Sequence, residues 1–277
     1  MKEKELSSDK LVFISGAAGG LGKVLVREYA AKGYRVIAAD IESSGLSEFS
    51  SFKNVFTEEL DITDLEQVKS LVKELEIDRE GLDVLVCLAG IYNTFPVTEA
   101  DPDLFKNIMA VNLLGTASLV QCFLKPLIRN KGRVIVVSSE SYKIQAIFQP
   151  YMISKAALEA YCRTARQELA LKGVKLVVIR PGAIRTPLLN WMSEPFDTGK
   201  YPVFDQEFRN SWKKSIKMVG SITSPEKVAG KILLASTVSL PKRIYRINNN
   251  PVLTLISFLP AGIIDRWIVR MFRLKVK

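Results

Sequence analysis

The sequence predicts an α/β protein with a doubly wound parallel sheet, that is, a sheet with helices on both faces. Short apolar runs alternate along the chain with longer amphipathic segments, which is the pattern of parallel strands joined by crossover helices. The 277 residues are 48% hydrophobic and 25% charged, as in an ordinary globular protein. Because no internal repeat or low-complexity linker divides the chain, we expect one domain over residues 1–277.

In the first third of the chain, turn and cap signals accompany the predicted elements. Gly33 ends the first helix, since glycine readily adopts the left-handed conformation that closes a helix. Thr63, with Glu66 three residues later, predicts a capping box at the start of the second helix. In order, the elements are a strand at 11–15, a helix at 20–32, strands at 34–40 and 55–61, a helix at 64–75 and a strand at 82–89.

The later elements continue the same alternation. Pro126 predicts a kink in the first of the later helices, because proline lacks a backbone N–H and disturbs a helix interior. Gly173 closes the second of them. In order, the elements are a long helix at 103–128, a strand at 133–138, a helix at 151–171, a strand at 174–180, a helix at 225–236 and a strand at 243–247.

Two regions depart from this alternation. Residues 183–221 contain Pro, Gly and aromatic residues with weak periodicity, which suits a lid or insertion above a site. The chain also continues well beyond the last predicted strand. We therefore divide it into a nucleotide-binding and catalytic core at 10–187, a substrate lid at 188–221 and a C-terminal extension at 248–277.

The absence of histidine excludes several kinds of chemistry. Without His there is no His-based zinc site and no Ser-His-Asp or Cys-His catalysis, and we expect no metal. The three cysteines, at 87, 122 and 162, form no C-x-x-C and fit a reducing cytosol. The charged N-terminal segment lacks the apolar region of a secretory signal. A cytoplasmic location is the expectation, with membrane association through the C-terminal extension as an alternative.

The basic charge of the chain is concentrated near its C-terminus. The formal net charge is +10, and residues 241–277 contain eight basic residues and one acid, a net +7. The basic character is therefore a property of the C-terminal segment rather than of the whole fold. No basic helix or aromatic platform occurs elsewhere, so we do not expect a nucleic acid partner.

A glycine-rich turn follows the first predicted strand directly. Glycines at 16, 20 and 22 allow a sharp turn and a close approach of the backbone to a pyrophosphate. The helix that begins at Gly20 and Leu21 offers free N–H groups and a positive dipole end to the phosphates. The simpler alternative is a tight strand–helix turn that binds no ligand.

Asp40 closes the second predicted strand, 24 positions after Gly16. A carboxylate at this place can accept hydrogen bonds from the 2′-hydroxyl of an adenosine ribose, and it repels a 2′-phosphate. No Lys or Arg lies in residues 17–20 to offset that repulsion. The sequence therefore favours NAD(H) over NADP(H), with an ordinary solvated aspartate at a strand end as the alternative.

Tyr151 and Lys155 are four residues apart at the start of a long predicted helix. Residues at this spacing share a helix face, so the phenol and the ammonium can reach the same small volume. A free phenol titrates near 10, and we expect a nearby ammonium to lower that pKa. In a protein without histidine, this pair is one of few ways to move a proton beside a hydride.

These motifs together resemble those of the short-chain dehydrogenase/reductase family, whose Rossmann fold matches the predicted sheet. The resemblance covers about residues 10–187, and residues 222–247 agree in outline. The motifs occur in the family's order: the glycine-rich turn, Asp40, Leu88-Ala89-Gly90, Asn112, Ser138-Ser139, Tyr151 with Lys155, and Arg180-Pro181-Gly182 followed by Thr186.

The resemblance implies a role for each matching residue. Tyr151 would transfer a proton, Lys155 would hold the nicotinamide ribose, and Asn112 would shape its helix and hold a water. Asp61 resembles an adenine-contacting acid but could equally be a structural residue. The implied cofactor-binding residues are Gly16, Gly20, Leu21, Gly22, Asp40, Asp61, Ala89, Gly90, Tyr151, Lys155, Pro181, Gly182, Ile184 and Thr186. A homodimer or homotetramer is implied as well.

Two departures from the family pattern bear on the site. The usual N-N-A-G reads Cys87-Leu88-Ala89-Gly90, which puts a structural hydrogen bond in doubt more than the chemistry. The family's serine, which orients the substrate, falls on Ser138 or Ser139 depending on the direction of counting. Alternation along a strand allows only one of the two to reach the substrate, and we expect Ser139.

The predicted pocket walls are rich in apolar side chains, which suits a bulky apolar alcohol or ketone such as a steroid or retinoid. Packing within the lid or a subunit contact is the alternative for many of them. The residues are Tyr142, Ile144, Ile147, Phe148, Leu188, Leu189, Trp191, Met192, Phe196, Tyr201, Phe204, Phe208 and Trp212. The leading function is NAD(H)-dependent oxidation of a secondary alcohol or reduction of its ketone. A catalytically silent dinucleotide sensor or scaffold is the alternative.

The C-terminal extension combines an apolar run with basic residues. Residues 252–264 are apolar but contain Pro260, and this run is shorter than the roughly 20 residues that span a bilayer. Arg266, Arg270 and Arg273 follow on one helical face. The extension could be a lid on the pocket, a subunit contact or a helix on an anionic membrane surface. It is similar to the tails of steroid- and retinol-type members of the family.

Overall fold

The computed structural model describes residues 10–144, 146–192 and 199–272, and within them seven parallel strands form one sheet. The strands are β1 (Leu11–Ser15), β2 (Arg35–Asp40), β3 (Val55–Glu59), β4 (Val84–Cys87), β5 (Arg133–Val137), β6 (Lys175–Pro181) and β7 (Ile244–Ile247). The strand order is β3-β2-β1-β4-β5-β6-β7, so the direction of winding reverses between β1 and β4. Such a reversal opens a crevice at the carboxyl ends of these strands. The predicted doubly wound parallel sheet is confirmed.

Helices cover both faces of this sheet. Because successive side chains of a strand point to opposite faces, Phe13 of β1 joins one apolar core and Val12 joins the other. The first core includes side chains from α2, α5 and α7, and the second includes side chains from α1 and α9. The helices are α1 (Gly20–Ala31), α2 (Leu65–Glu74), α3 (Ile77–Glu80), α4 (Pro102–Met109), α5 (Thr116–Cys122), α6 (Leu124–Arg129), α7 (Pro150–Ala170), α8 (Asp205–Met218), α9 (Pro225–Thr237), α10 (Pro251–Ile256) and α11 (Ala261–Phe272).

The prediction of one long helix at 103–128 is wrong. The segment is divided into α4, a π-helical stretch at Ala110–Gly115, α5 and α6. The kink expected before Pro126 takes the form of a break at Phe123, between α5 and α6. Pro126 has no N–H to bond the carbonyl of Cys122, which is the last residue of α5. The π-helical stretch has no counterpart in the apolar periodicity of the sequence.

The cap of α2 also differs from the sequence expectation. The N-cap is Asp64 rather than Thr63, because the Asp64 carboxylate accepts hydrogen bonds from the N–H groups of Glu66 and Gln67, each at 3.0 Å. The Thr63 hydroxyl instead donates to Asp61 Oδ1 at 2.7 Å. A carboxylate one residue closer to the helix therefore replaces the predicted capping box.

The two regions that lacked strand–helix alternation contain further helical segments. The lid region includes a 3₁₀ turn at Pro187–Met192 and α8, and the C-terminal extension forms α10 and α11. Of the residues named above, Phe196, Arg273 and the side chains of Trp191 and Met192 lie outside the described part of the chain. None of the described helices combines the length and apolar character needed to cross a membrane.

Candidate active site

One cavity of about 760 Å³ lies at the carboxyl edge of the sheet. Residues that follow all seven strands line it, from Gly16 after β1 to Asn249 after β7. The predicted site residues other than Asn112 line this one cavity: Gly16, Gly20, Leu21, Gly22, Asp40, Asp61, Ala89, Gly90, Ser139, Tyr151, Lys155, Pro181, Gly182, Ile184 and Thr186. The structure therefore brings together residues that are spread over 170 positions of the sequence, from 16 to 186.

The glycine-rich turn is shaped for close contact with a ligand. Gly16 has a φ of +72°, and a Cβ on Gly22 would lie 2.2 Å from the Gly16 carbonyl oxygen, so both positions require glycine. The N-cap of α1, Gly19, provides no side-chain cap, and the first turn of α1 contains no acid. Free N–H groups and the positive end of the helix dipole are thus available to an anion, as a pyrophosphate requires.

Asp40 is held rigidly at the edge of the cavity. Its Oδ2 accepts a hydrogen bond from Ala18 N at 2.9 Å, and its Oδ1 accepts one from Glu42 N at 3.1 Å. Asp40, Glu42 and Asp61 all line this end of the cavity. The cationic residues among the described lining are Lys143, Lys155 and Arg246, which belong to the segments from β5 onward.

Asp61 has a structural role and also lies at the cavity. Its Oδ1 accepts hydrogen bonds from both Thr63 N at 2.8 Å and Thr63 Oγ1 at 2.7 Å, which fixes the turn before α2. The same residue lines the cavity. A structural role is therefore present, and contact with an adenine stays a prediction.

Tyr151 and Lys155 face the cavity from the first turns of α7. Burial raises the pKa of Tyr151 to about 12, and a hydrogen bond with Ser139 acts in the opposite direction. The expected lowering of this pKa by the Lys155 ammonium is not found, and the effect of burial dominates. Lys155 Nζ lies over the face of the ring, 5.6 Å from its centre, and donates to Val137 O at 3.2 Å. In the free protein, Tyr151 is therefore a protonated phenol at neutral pH.

Lys155 is only 5% exposed, and burial of its charged ammonium is energetically unfavourable. Burial lowers the pKa of Lys155 to about 8, against the opposing effects of Cys162 and Glu159. The amine is close to the loop after β4, since a Cβ on Gly90 would lie 3.7 Å from Lys155 Nζ. A group that accepts hydrogen bonds in the cavity would favour the charged form of this lysine.

The two candidate serines have different surroundings. The Ser139 hydroxyl bonds the Ser141 hydroxyl at 2.8 Å and interacts with the Tyr151 phenol. The Ser138 hydroxyl is buried and makes no hydrogen bond within the described residues. The structure thus brings Ser139, rather than Ser138, to the phenol, in agreement with the strand alternation.

Asn112 lies behind the cavity wall, fully buried in the π-helical stretch. Its Nδ2 donates to Ile91 O and to Ser154 Oγ, each at 2.9 Å, and its Oδ1 accepts from Ile91 N at 2.8 Å. Both amide hydrogens are therefore used inside the protein, and the oxygen has one lone pair left. Binding of a water by Asn112 stays a prediction.

The loop after β4 keeps its attachment despite the departure at Cys87-Leu88. Ser15 Oγ accepts hydrogen bonds from Leu88 N at 3.3 Å and from Ala89 N at 3.5 Å. Together with the Asn112 bonds to Ile91, these contacts hold the segment to the sheet. The loop is therefore hydrogen-bonded to the sheet although the family's usual asparagine is replaced in Cys87-Leu88.

The cavity wall differs in part from the expected apolar set. Tyr142, Ile144, Leu188 and Leu189 line the cavity. Phe148, Phe204, Phe208 and Tyr201 instead pack against one another, with ring centres 5.3 to 5.5 Å apart, and Ile147 and Trp212 are also absent from the described lining. Most of these lid aromatics therefore stabilise the lid, the alternative that sequence reasoning had left open.

Sequence reasoning missed several wall residues because they come from distant segments. Tyr92 stacks on Tyr151 at 5.1 Å between ring centres and donates to Gln149 Oε1 at 3.0 Å. The C-terminal extension forms another wall, for which the apolar spacing in the tail was the available signal. Its cavity-lining residues are Leu253, Thr254, Trp267, Ile268, Met271 and Phe272. The extension thus contributes a wall of the cavity, and its roles as a lid, a subunit contact or a membrane contact stay predictions.

The parallel sheet with helices on both faces and a cavity at its carboxyl edge defines a Rossmann-type fold. The chain belongs to the short-chain dehydrogenase/reductase family, since the family profile described as short chain dehydrogenase matches residues 10–195. Mouse retinol dehydrogenase 5 is 31% identical over 189 residues, 66% of this chain and 59% of that protein. Human 17-beta-hydroxysteroid dehydrogenase type 6 is 31% identical over 217 residues, 76% of this chain and 65% of that protein. The chain therefore spans less than two thirds of the length of these two relatives.

Among solved structures, a short-chain dehydrogenase from Burkholderia cenocepacia J2315 in complex with NADP is similar with a TM-score of 0.72. The match covers 97% of this chain and 100% of that chain at 22% identity. At this identity the likeness supports the fold alone.

Replacing Lys155 with Met should change stability in a pH-dependent way. The native pKa of about 8 lies below the ordinary lysine value of 10.5, so the unfolded chain binds more protons between pH 8 and 10.5, and the wild type gains stability as the pH rises through that window. We expect Lys155→Met to be stabilising relative to wild type below pH 8 by an electrostatic contribution of about 3 kcal/mol that vanishes towards pH 10.5. Urea unfolding at several pH values measures this difference.

Lys172→Met, at an exposed position just after α7, is the control and should show a difference that does not vary with pH. A pH-independent difference for Lys155→Met as well would contradict the lowered pKa.

Proposed function

We propose that this protein is an NAD(H)-dependent oxidoreductase that interconverts a bulky apolar secondary alcohol and its ketone, with Tyr151 as the acid or base. The observation that carries the proposal is the placement of Tyr151, Ser139 and Lys155 in one cavity with the glycine-rich turn. Because family membership gives the oxidoreductase class, the proposal concerns the cofactor, the proton-transfer residue and the substrate.

A bound nicotinamide nucleotide supplies or accepts the hydride. The residues fit such a group, since the uncapped start of α1 suits its pyrophosphate and the glycines at 16 and 22 leave room for close approach. In reduction, the Tyr151 phenol donates its proton to the carbonyl oxygen, and its pKa of about 12 keeps that proton in place at neutral pH. Ser139 orients the substrate oxygen by a hydrogen bond beside the phenol.

In oxidation, Tyr151 must instead accept the proton of the alcohol. The phenolate is then needed, and a positive charge in the cavity favours it. Lys155 supplies such a charge when its amine is protonated, a state that hydrogen-bond acceptors in the cavity favour. The Lys155 amine, which lies next to Gly90, would hold the ribose hydroxyls of the bound nucleotide. The alcohol proton leaves through the phenol oxygen, and the hydride leaves from the carbon.

The preference for NAD(H) rests on the charge at the Asp40 end of the cavity. Asp40 accepts hydrogen bonds from two backbone N–H groups and still has lone pairs for a ribose hydroxyl. Glu42 adds a second carboxylate to the lining there. A 2′-phosphate at this place would meet two negative charges, and the cations of the described lining belong to later segments.

The apolar substrate class is supported by the walls of the cavity. Leu188 and Leu189 contribute from the lid, and Leu253 and Trp267 contribute from the C-terminal extension. The two relatives described above are named as a retinol dehydrogenase and a 17-beta-hydroxysteroid dehydrogenase, and these names refer to apolar substrates of the proposed class. A silent sensor is not favoured, because it has no need for a phenol and an amine beside the nucleotide end of the cavity.

We further propose that the C-terminal extension contacts an anionic lipid surface, from which an apolar substrate enters the cavity. Large apolar side chains are exposed on and between α10 and α11, and Arg266 and Arg270 are exposed beside them. Scattered apolar residues are common on surfaces, but a concentrated patch is typical of a contact site. The exposed apolar residues are Val252, Leu255, Phe258, Leu259, Ile263, Trp267 and Val269. A homodimer or homotetramer stays a prediction.

Replacing Tyr151 with Phe should lower turnover by about 10²- to 10⁴-fold while the Kd for NADH changes little. The assay is absorbance at 340 nm with steroid, retinoid and aliphatic alcohols, and NADH binding is followed by fluorescence titration. Tyr161→Phe, on the same helix and absent from the described cavity lining, is the matched control and should keep wild-type turnover.

Turnover of polyols or sugars alone would contradict the substrate class. Binding of NADH by the wild type without turnover of any alcohol or ketone in the panel would favour the silent sensor.

Replacing Asp40 with Asn should raise the ratio of kcat/KM for NADP⁺ to that for NAD⁺ by about tenfold or more, because the amide keeps the hydrogen bond to Ala18 N but removes the negative charge. Initial rates at varied cofactor concentration give the ratio. Asp78→Asn, at an exposed site on α3, should leave it unchanged. A ratio that already favours NADP⁺ in the wild type would overturn the cofactor preference.

The double replacement Leu255→Glu with Ile263→Glu should abolish co-sedimentation with vesicles that contain phosphatidylserine. These side chains are 73% and 50% exposed, so the charges remove apolar contact without entering the core. Leu171→Glu, 84% exposed after α7, is the control and should bind vesicles as the wild type does. Equal sedimentation of wild type and double variant would rule out this lipid contact.

A further inference from the structure

The turn that follows Ser139 is tied to the C-terminal extension at both of its ends. Glu140 opens this 3₁₀ turn, and its Oε2 accepts a hydrogen bond from Asn250 N at 2.5 Å. Lys143 closes the turn, and its Nζ donates to Ser257 Oγ at 3.3 Å. The two partners lie immediately before and immediately after α10. One short turn therefore fixes both ends of this helix.

Further contacts make the Glu140 end of the attachment tight. A Cβ on Gly182 would lie 3.0 Å from Glu140 Oε1 and 2.4 Å from the Asn248 carbonyl oxygen. The carboxylate, the loop after β6 and the loop after β7 are thus in close contact, and Gly182 is required there for packing. Asn250 in turn caps α10, since its Oδ1 accepts from Val252 N at 2.9 Å.

The turn itself is anchored from the sheet side. The Arg180 guanidinium lies 4.2 Å from the centre of the Tyr142 ring. Arg180 also makes two hydrogen bonds of 2.7 Å with Glu159 of α7, in a pair that is almost fully buried. The turn is therefore held by β6 and α7, and it forms a firm support for α10.

Two residues between the two attachment points face the cavity. Leu253 and Thr254 of α10 line it, together with Ser139 and Tyr151 on the other side of the turn. After α10 the chain continues into α11, whose end is held to α8 by Asn210 Nδ2 donating to Phe272 O at 3.3 Å and by Lys214 donating to Met271 O. The extension is thus attached at its start through Glu140 and at its end through α8.

We propose that Glu140 is a positioning residue that holds the C-terminal extension against the Ser139 turn and so completes the apolar wall of the substrate site. The inference rests on the proposed function only in its kinetic part, because the attachment exists in the free protein. Its consequence is that substrate affinity depends on Glu140 although its carboxylate is bonded to the backbone of Asn250. Cofactor binding at the Asp40 end does not depend on it.

Replacing Glu140 with Ala should raise KM for a bulky apolar alcohol by about tenfold, as expected for loss of a hydrogen bond to a charged group, and change kcat and the Kd for NADH much less. Glu140→Gln keeps an acceptor oxygen for Asn250 N and should restore KM to near the wild-type value. Glu168→Ala, an exposed acid on α7, is the matched control and should leave KM unchanged.

Hydrogen–deuterium exchange of the free protein tests the attachment without turnover. In Glu140→Ala, exchange should increase in residues 250–257 and stay unchanged in α9, and Glu140→Gln should again resemble the wild type. Lys143→Met, which removes the contact with Ser257, should increase exchange at the end of α10 and raise KM. If Glu140→Ala does not fold, Lys143→Met tests the attachment of α10 in its place.

Unchanged exchange in residues 250–257 for both Glu140→Ala and Lys143→Met would overturn the proposal. A fall in kcat with constant KM would also overturn it, since that result would place Glu140 in the chemical step. Increased exchange in a protein that oxidises no alcohol would support the attachment and contradict the proposed function alone.

Discussion

The hydrogen bonds of one buried amide fix the relation between the two halves of the candidate site. Asn112 binds both backbone groups of Ile91, which follows β4, and also the hydroxyl of Ser154 on α7. Ser154 lies between Tyr151 and Lys155, and its hydroxyl donates to the Tyr151 carbonyl at 2.7 Å. The position of the phenol and the amine relative to the Gly90 loop therefore depends on an amide that has no exposed surface. Asn112 lies in the π-helical stretch, in keeping with the frequent location of such stretches at functional sites.

The charges of the cavity are divided between its two ends. The carboxylates of Asp40 and Glu42 lie where the β1 and β2 segments end, whereas Lys155 is buried at the start of α7. A buried amine with a pKa of about 8 is still mostly protonated at neutral pH, so Lys155 brings a positive charge to the cavity that hydrogen-bond acceptors there would stabilise further. The same burial raises the pKa of Tyr151 and keeps the phenol protonated in the free protein. In the proposed function the phenol can therefore donate a proton directly, whereas its action as a base requires a phenolate, which a nearby positive charge favours.

The sequence allowed prediction of those features that local chemistry dictates. The turn at Gly16 requires glycine because of its positive φ, Asp40 ends a strand beside that turn, and Tyr151 with Lys155 share a helix face. All are short-range patterns, and the parallel sheet follows from the alternation of apolar runs. The break at Phe123 was predictable from Pro126, whereas the π-helical stretch was not, because the apolar periodicity contains no signal for it and Asn112 bonds residues that are distant in the sequence. The sequence spacing placed Lys155 near Tyr151, and we therefore expected the pKa of Tyr151 to fall. The spacing does not reveal how deeply the phenol is buried, and burial raises this pKa.

Contacts between distant segments also determine which apolar residues form the wall. The aromatic residues near the site have the composition of a pocket lining, yet Phe208 of the lid region packs edge to face against Phe148. Part of the wall comes instead from α10 and α11, and the Glu140–Asn250 bond that holds the start of this extension joins residues 110 positions apart. α11 buries Ile268 and Phe272 on one side while Ile263 and Val269 remain exposed on another. The cavity therefore buries only some of the apolar side chains of this helix, and the others face away from it. Its inner face lines the cavity, and the exposure of its outer face is the observation that supports the proposed contact with a lipid surface next to the cavity.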